Sequence, residues 1–277
     1  MSHQGLHHVF LPKSDLLKRY VASFNVLRAD RDEKSAITYY TFPQSGTEIV
    51  FFNQSEIIVN DNEIGIRKDS RKKAEVVFCG KFLTPIKVTY WDRVQKIAVH
   101  FTETGIINFF PNYYMSYGKK NLQRLPMDTL GLDPTRLFSE DVESAIEHLE
   151  AYLLSLYSPN SLSVIEQAAE MVKTNPTMRT GELAKQAKMG KKTFARQFKK
   201  HVGCTVSNFK RISQFKKTAR SYFDGPHKNL VQLCYDNGYY AASDFYRQIR
   251  RTTRLNPKEF FKNIQRIGPK NRIYIFE

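Results

Sequence analysis

Residues 182–209 read ELAKQAKMGKKTFARQFKKHVGCTVSNF, a small-residue helix, a tight turn, a basic helix and the start of a long helix leading away. Leu183 and Ala184 precede Met189, Gly190 allows a turn, and Phe194 and Phe198, four positions apart, share one face of the next helix. That face can pack inward. The opposite face carries Lys191, Lys192, Ala195, Arg196, Lys199 and Lys200, long cations with short side chains between them. Such a strip suits a phosphate-lined groove.

Residues 233–260, LCYDNGYYAASDFYRQIRRTTRLNPKEF, write the same pattern again. Leu233-Cys234 stands for Leu183-Ala184, Tyr239 for Met189, and Phe245-Tyr246-Arg247 for Phe194-Ala195-Arg196; Ile249 and Arg250-Arg251 follow in the places of Phe198 and Lys199-Lys200. One extra residue lies between Tyr239 and Phe245. Apolar and cationic positions that stay in step twice point to a tandem helix-turn-helix. The bland alternative is a helical bundle with a solvated basic surface. Between the copies, Thr205 to Phe223 predicts one helix of about 19 residues, roughly 28 Å long. A strut of that size can hold two recognition helices near the roughly 34 Å that separates successive major grooves on one face of B-DNA. Asp224-Gly225-Pro226 stops it, and a second unit begins near Leu230.

The charge divides the same way. From Lys173 to Glu277 there are 24 Lys and Arg against 6 Asp and Glu, net +18, whereas residues 1–172 carry −2, so the whole +16 belongs to the C-terminal part. This asymmetry suggests one domain that meets a polyanion and another that does not. At 277 residues two domains are the default, divided here at 1–157 and 158–277. Cys79, Cys204 and Cys234 lack Cys-x-x-Cys spacing, which argues against a disulfide framework or a structural zinc site. With no apolar run of membrane-spanning length and no signal-peptide core, the expectation is a cytoplasmic protein with no membrane partner.

Residues 1 to about 125 read as mostly short strands. β-rich runs at 36–42, 48–52, 56–59, 75–79, 86–90 and 96–101 are separated by turn residues, which suggests a barrel or sandwich. One early helix is expected from Lys13 to Asn25, a short helix between Ile106 and Tyr117, a free terminus at His3, His7 and His8, and a connector from Pro126 to Pro134. Ser139 can then cap a helix whose stripe Val142, Ala145, Ile146, Leu149, Leu153 and Leu156 either covers the sheet or forms a dimer seam. Glu140, Asp141 and Glu143 suit its N-terminal dipole. A further helix has Ser163 and Glu166 spaced as a capping box and closes at Pro176.

The C-terminal pattern resembles the DNA-binding region of the AraC/XylS family of bacterial transcription regulators. The residues that carry the likeness are Leu183-Ala184, Lys188-Met189-Gly190, Phe194 to Phe198 and Gly203 to Phe209 in the first half, and Leu233-Cys234, Gly238-Tyr239, Phe245 to Ile249 and Asn256 to Phe260 in the second. Val206 stands where the family has proline and Arg254 where it has its second glycine; Gln214 and Thr218 stand where its linker helix often has Arg and Ala. The resemblance implies an α+β two-domain chain, an all-α C-terminal domain with two helix-turn-helix units behind a β-rich, cupin-like domain that senses a ligand or self-associates. It implies base-edge reading by Lys192, Ala195 and Arg196 in the first unit and by Ala242, Ser243, Asp244 and Arg247 in the second, with Lys191, Thr193, Lys199, Lys200, Arg250 and Arg251 on phosphates. The chemistry fits: Arg can take guanine O6 and N7 together, Asp can accept from cytosine N4, and alanine can meet a thymine methyl. An arginine at the repeated place of Arg196 and Arg247 could instead brace its own unit.

The expected partner is double-stranded DNA, with a small-molecule effector and a homodimer as the roles open to the N-terminal part. A catalytic cupin needs several histidines and a carboxylate on a metal, and His100 is the only histidine between His8 and His148, so no metal and no cofactor are expected. Trp91 could line a ligand pocket, or sit in a core or at a rim. No Gly-x-Ser-x-Gly, His-Glu-x-x-His or phosphate-loop motif supports an enzyme. A general nucleic-acid binder is the alternative, since a basic surface alone would suffice for it.

Overall fold

The computed structural model describes residues 7–28, 36–92, 94–111, 122–125, 130–139, 141–160, 163–225, 229–267 and 272–277. Ten strands come first: β1 (His7–Phe10), β2 (Val21–Arg28), β3 (Ile37–Thr41), β4 (Thr47–Phe52), β5 (Ser55–Asn60), β6 (Glu63–Lys68), β7 (Glu75–Cys79), β8 (Ile86–Tyr90), β9 (Gln95–Phe101) and β10 (Leu122–Leu125), with helix α1 (Asp15–Tyr20) after β1. Helices follow: α2 (Pro134–Ser139), α3 (Val142–Leu156), α4 (Ser163–Thr174), α5 (Thr180–Gln186), α6 (Lys191–Val202), α7 (Val206–Asp224), α8 (Leu230–Asp236), α9 (Ala242–Thr253) and α10 (Pro257–Asn263). Two short strands, β11 (Gln265–Ile267) and β12 (Arg272–Phe276), end the chain.

The strands form two six-stranded sheets, ordered β1-β2-β9-β4-β7-β10 and β11-β12-β3-β8-β6-β5. Successive side chains on a strand point to opposite faces, and in the first sheet both faces are used. Val50, Phe52, Val77 and Ala98 face the second sheet and pack with its Ile57, Ile66 and Val88. Ile49, Phe51, Val76, Phe78, Ile97 and Val99 face the other way, onto α1 and α3. This explains why β4 reads as a continuous apolar run instead of an alternation. The stripe of α3 covers that outer face: Ala145, Ile146, Leu149 and Leu153 are buried in it, with Val142 and Leu156 at its margin. A surface used in this way is not a dimer seam.

Several sequence expectations need correction. The early helix ends at Tyr20, and Val21 to Asn25 belong to β2, whose β-branched and aromatic residues pair with β9 from Val21 opposite Phe101 to Arg28 opposite Gln95. His7 and His8 begin β1, paired with Leu27 and Val26. Asp141, not Ser139, caps α3, its carboxylate accepting the Ser144 amide at 3.0 Å. The apolar segment after β9 forms one 3-10 turn at Gly105–Asn108. Its expected continuation from 112 to 117, residues 126–129 of the connector, and Glu140 lie outside the described residues.

The C-terminal strand returns to the second sheet. Tyr274, Ile275 and Phe276 of β12 pair with Thr41, Tyr40 and Tyr39 of β3. Nearby Phe42 is fully buried in one cluster with Phe215, Phe245, Phe260, Ile273 and Ile275, its ring 5.0 Å from Phe260 and 6.4 Å from Phe215. The second helical unit therefore shares its core with residues from the N-terminal sheet.

Candidate nucleic-acid interface

Each unit is built from a short helix, a turn and a longer helix, and the backbone bonds repeat. Ala187 and Lys188 donate to Leu183 and Lys185 carbonyls at 2.9 and 3.0 Å, and Asn237 and Gly238 donate to Leu233 and Tyr235 at 3.3 and 3.0 Å. The Met189 amide reaches the Ala184 carbonyl at 2.9 Å, and Tyr239 reaches Cys234 at 3.2 Å. The turn closes the same way twice. Its left-handed residue is Lys188 in the first unit (φ 52°) and Gly238 in the second (φ 73°). Gly190 is not the residue that permits the first turn: it caps α6 at φ −62°, a conformation open to any residue.

Both recognition helices end on a left-handed cap, Gly203 at φ 85° and Arg254 at φ 64°. Arg254 thus takes the same left-handed cap as Gly203 with a side chain that disfavours it. The other departures are also accommodated. Val206 begins α7 and is buried, while Thr205 caps that helix by accepting the Asn208 amide at 3.2 Å. Gln214 donates through its amide to the Asn237 carbonyl, and the Thr218 hydroxyl lies 3.1 Å from the Tyr239 hydroxyl. The linker helix is tied by these two side chains to the turn of the second unit.

Phe194 and Phe198 are fully buried, 5.7 Å apart, with Phe209 5.5 Å beyond. Phe245 is equally buried, 5.2 Å from Tyr239. On α6 the opposite face leaves Lys191, Lys192, Thr193, Ala195, Arg196, Lys199 and Lys200 exposed. On α9, Ser243, Arg247, Arg250 and Arg251 are exposed, whereas Ala242 and Asp244 are half-buried. Arg247 donates to one Asp244 oxygen at 2.6 Å and Gln248 to the other at 3.0 Å. Asp244 thus holds Arg247 in place, and each of its oxygens keeps a further acceptor site.

Sequence reasoning missed the residues beside α9. A groove of about 480 Å³ between α7 and the second unit is lined by Lys210 and Arg211 on one wall and Tyr240, Arg247 and Arg251 on the other. Tyr240, 96% exposed, is the extra residue of the second copy, and that insertion was its only signal.

A second cavity, of about 420 Å³, opens between the first sheet and the helices. Lys216 of α7 reaches the Ser45 hydroxyl at 3.3 Å there, and Lys173 of α4 pairs with Glu103 at 3.3 Å. Burial pulls the Lys216 ammonium down to about 8. At its floor Arg272 of β12 pairs with Glu48, whose oxygen lies 3.2 Å from His100 Nδ1. That last contact is close but not an aligned hydrogen bond: neither ring nitrogen of His100 has a hydrogen-bond partner among the described residues. Burial, and then the charge of Arg272, pull the imidazole down to about 4 against the lift from Glu48. Burial pushes the Glu48 carboxyl up, and the neighbouring Arg272 and His100 outweigh it, holding it well below the carboxylate range. His100 is thus a packed histidine, and among the described residues no group of three or more His, Cys, Asp or Glu could hold a metal. Trp91, 44% exposed, covers Gly65, where a Cβ would come within 2.2 Å of its ring; it lines neither cavity.

Two copies of one helix-turn-helix, each with a buried aromatic face and an exposed cationic one, define a tandem helix-turn-helix protein. A sequence profile described as a helix-turn-helix domain matches residues 183–263, and this region is an AraC-type helix-turn-helix domain. No curated protein sequence matches the chain. Among solved structures, ToxT from Vibrio cholerae O395 is similar at 13% identity, covering 86% of this chain and 96% of that one, with a TM-score of 0.48. Wild-type ToxT from Vibrio cholerae strain SCE256, bound to an unsaturated fatty acid, is similar at 15% identity over 86% and 94%, with a TM-score of 0.46. Among the described residues no helix is long and apolar enough to cross a membrane.

Proposed function

We propose that this chain is a cytoplasmic, non-enzymatic transcription regulator that recognises a specific duplex DNA sequence with α6 and α9 in successive major grooves. The observation that carries the reading is the repeated geometry: two turns closed by the same backbone bonds, each presenting a helix whose outward face holds Arg at the same place, Arg196 and Arg247. Lys192, Ala195 and Arg196, with Ala242, Ser243 and Arg247, read base edges; Asp244 acts chiefly by aiming Arg247. Lys191, Thr193, Lys199, Lys200, Arg250 and Arg251 take phosphates. Neutralising about six phosphates gives a log-log salt slope near −5.

Binding titrations of Arg196→Ala and Arg247→Ala against the preferred duplex and single-base variants test the reading. Each substitution is expected to weaken the preferred site by about 1–3 kcal/mol and to relax preference at one base pair. Equal weakening on every sequence, with random duplex competing as well as the preferred one, would instead establish a general nucleic-acid binder.

The division proposed from the sequence, 1–157 and 158–277, places a sensing role in the first part. The cavity beside Lys216 supports it, because a ligand there would touch the first sheet, α7 and β12 together. Its lining carries Lys173, Lys216, Lys217, Arg220 and Arg272 against Glu103 and Glu170, an excess of cations that favours an anionic effector.

A further inference from the structure

The geometry points to a phosphate-binding site that reaches beyond the recognition helices onto the linker: the groove between α7 and the second unit, where Arg211 of α7 joins Arg251 of α9 in gripping one phosphodiester of the DNA backbone between the two major-groove segments. The inference deepens the DNA-binding reading and rests on it.

The groove collects four cations, Lys210, Arg211, Arg247 and Arg251, and among its described lining residues the one carboxylate is Asp244. Both oxygens of Asp244 are already engaged by Arg247 and Gln248. Lys210, Arg211 and Arg251 are left facing the cavity without a counter-charge from its walls. Arg211 is half-buried, and its Nε is a buried donor with no acceptor among the described residues. Burial, then the nearby charge of Arg251, pull its guanidinium below the usual arginine range. A buried donor without an acceptor, beside a like charge, is unfavourable in the free protein. An anion between the two guanidiniums relieves both problems, and phosphate suits the planar fork of arginine.

Position favours DNA as the source of that phosphate. One wall of the groove is the N-terminal half of the linker between the two units, and the other carries Arg247 and Arg251 of the second recognition helix. Backbone running from one recognition helix to the other passes this wall if both enter the same face of the duplex. The opening, about 480 Å³, is roomy enough for a phosphodiester.

The test is Arg211→Gln in the full-length protein, read by the salt dependence of duplex binding and by thermal melting without DNA. The expected result is equal weakening on preferred and random duplex, a log-log slope less negative by about 0.9, and a melting temperature unchanged or raised. An unchanged slope overturns the proposal while leaving the DNA-binding reading intact; a wild-type protein that binds no duplex sinks both. Inorganic phosphate at matched ionic strength probes the other source of the same chemistry. If it stabilises the wild type but not Arg211→Gln, while the DNA slope is unaffected by the substitution, the groove takes a free anion and the backbone assignment is wrong.

Discussion

At the scale of single residues, two left-handed positions show what the duplicated unit demands. Lys188 and Gly238 close equivalent turns, and Gly203 and Arg254 end equivalent helices. The backbone asks for a positive φ at each, and glycine supplies it at only one of each pair. Arg254→Gly is expected to raise stability by about 0.5–1 kcal/mol, as far as relieved strain exceeds the added freedom of the unfolded chain; a denaturant melt measures it, and a loss would mean that the Arg254 side chain makes a stabilising contact. His100 gives a pH dependence with a definite sign. Its folded value, about 4, lies below the ordinary 6.5, so between those values the unfolded chain binds a proton that the folded chain refuses. Stability should therefore be unaffected above about pH 6.5 and fall by roughly 3 kcal/mol as pH drops to 4. Glu48, whose carboxyl is held low, adds a loss of the same sign below about 4.5. His100→Gln should flatten the upper window in urea melts taken across that range; an unaltered profile would place the proton elsewhere.

At the scale of elements, the helical units were legible because their signal was redundant. Phe194, Phe198 and Phe245 repeat at helical spacing beside cations that repeat too, and no strand pattern competes. Phe194→Ala should lower stability by about 3–5 kcal/mol, since the ring is fully buried. The sheets were less legible. Leu16, Leu17, Tyr20, Val21 and Phe24 sit at helix-compatible spacing, so the pattern runs across the junction of α1 and β2, and strand pairing with β9 decides where the helix stops. Strand β6 carries Gly65 in its middle, a residue that local sequence reads as a break; Trp91 fills the missing side chain's place from β8's far end. Strand β12 was unreadable for another reason. Five residues behind a basic segment hold no periodicity of their own, and their pairing partner, β3, lies more than 200 residues away. The phosphate groove was hidden likewise, because Arg211 and Arg251 meet only once α9 packs against α7.

At the scale of the molecule, the C-terminal strand is built into a sheet of N-terminal strands. The second helix-turn-helix continues through α10 and β11 into β12, which completes the second sheet and delivers Arg272 to Glu48. Phe42 fills the core of that same helical unit from the opposite direction. A protein cut before Arg272 should melt well below the full chain, because the β3 edge is exposed and Glu48 loses its counter-ion; equal melting would show that β12 contributes nothing to the core. On the other surface lie the two helices proposed to read DNA at a fixed separation, joined by α7 and by the Gln214 and Thr218 ties to the second turn. Selection of bound duplexes from a randomised DNA pool tests that proposal most directly. One recovered site is expected, with two short conserved blocks about one helical turn, roughly 10 base pairs, apart at constant spacing; a pool with no enriched sequence, or two blocks at variable distance, would contradict a paired reading head.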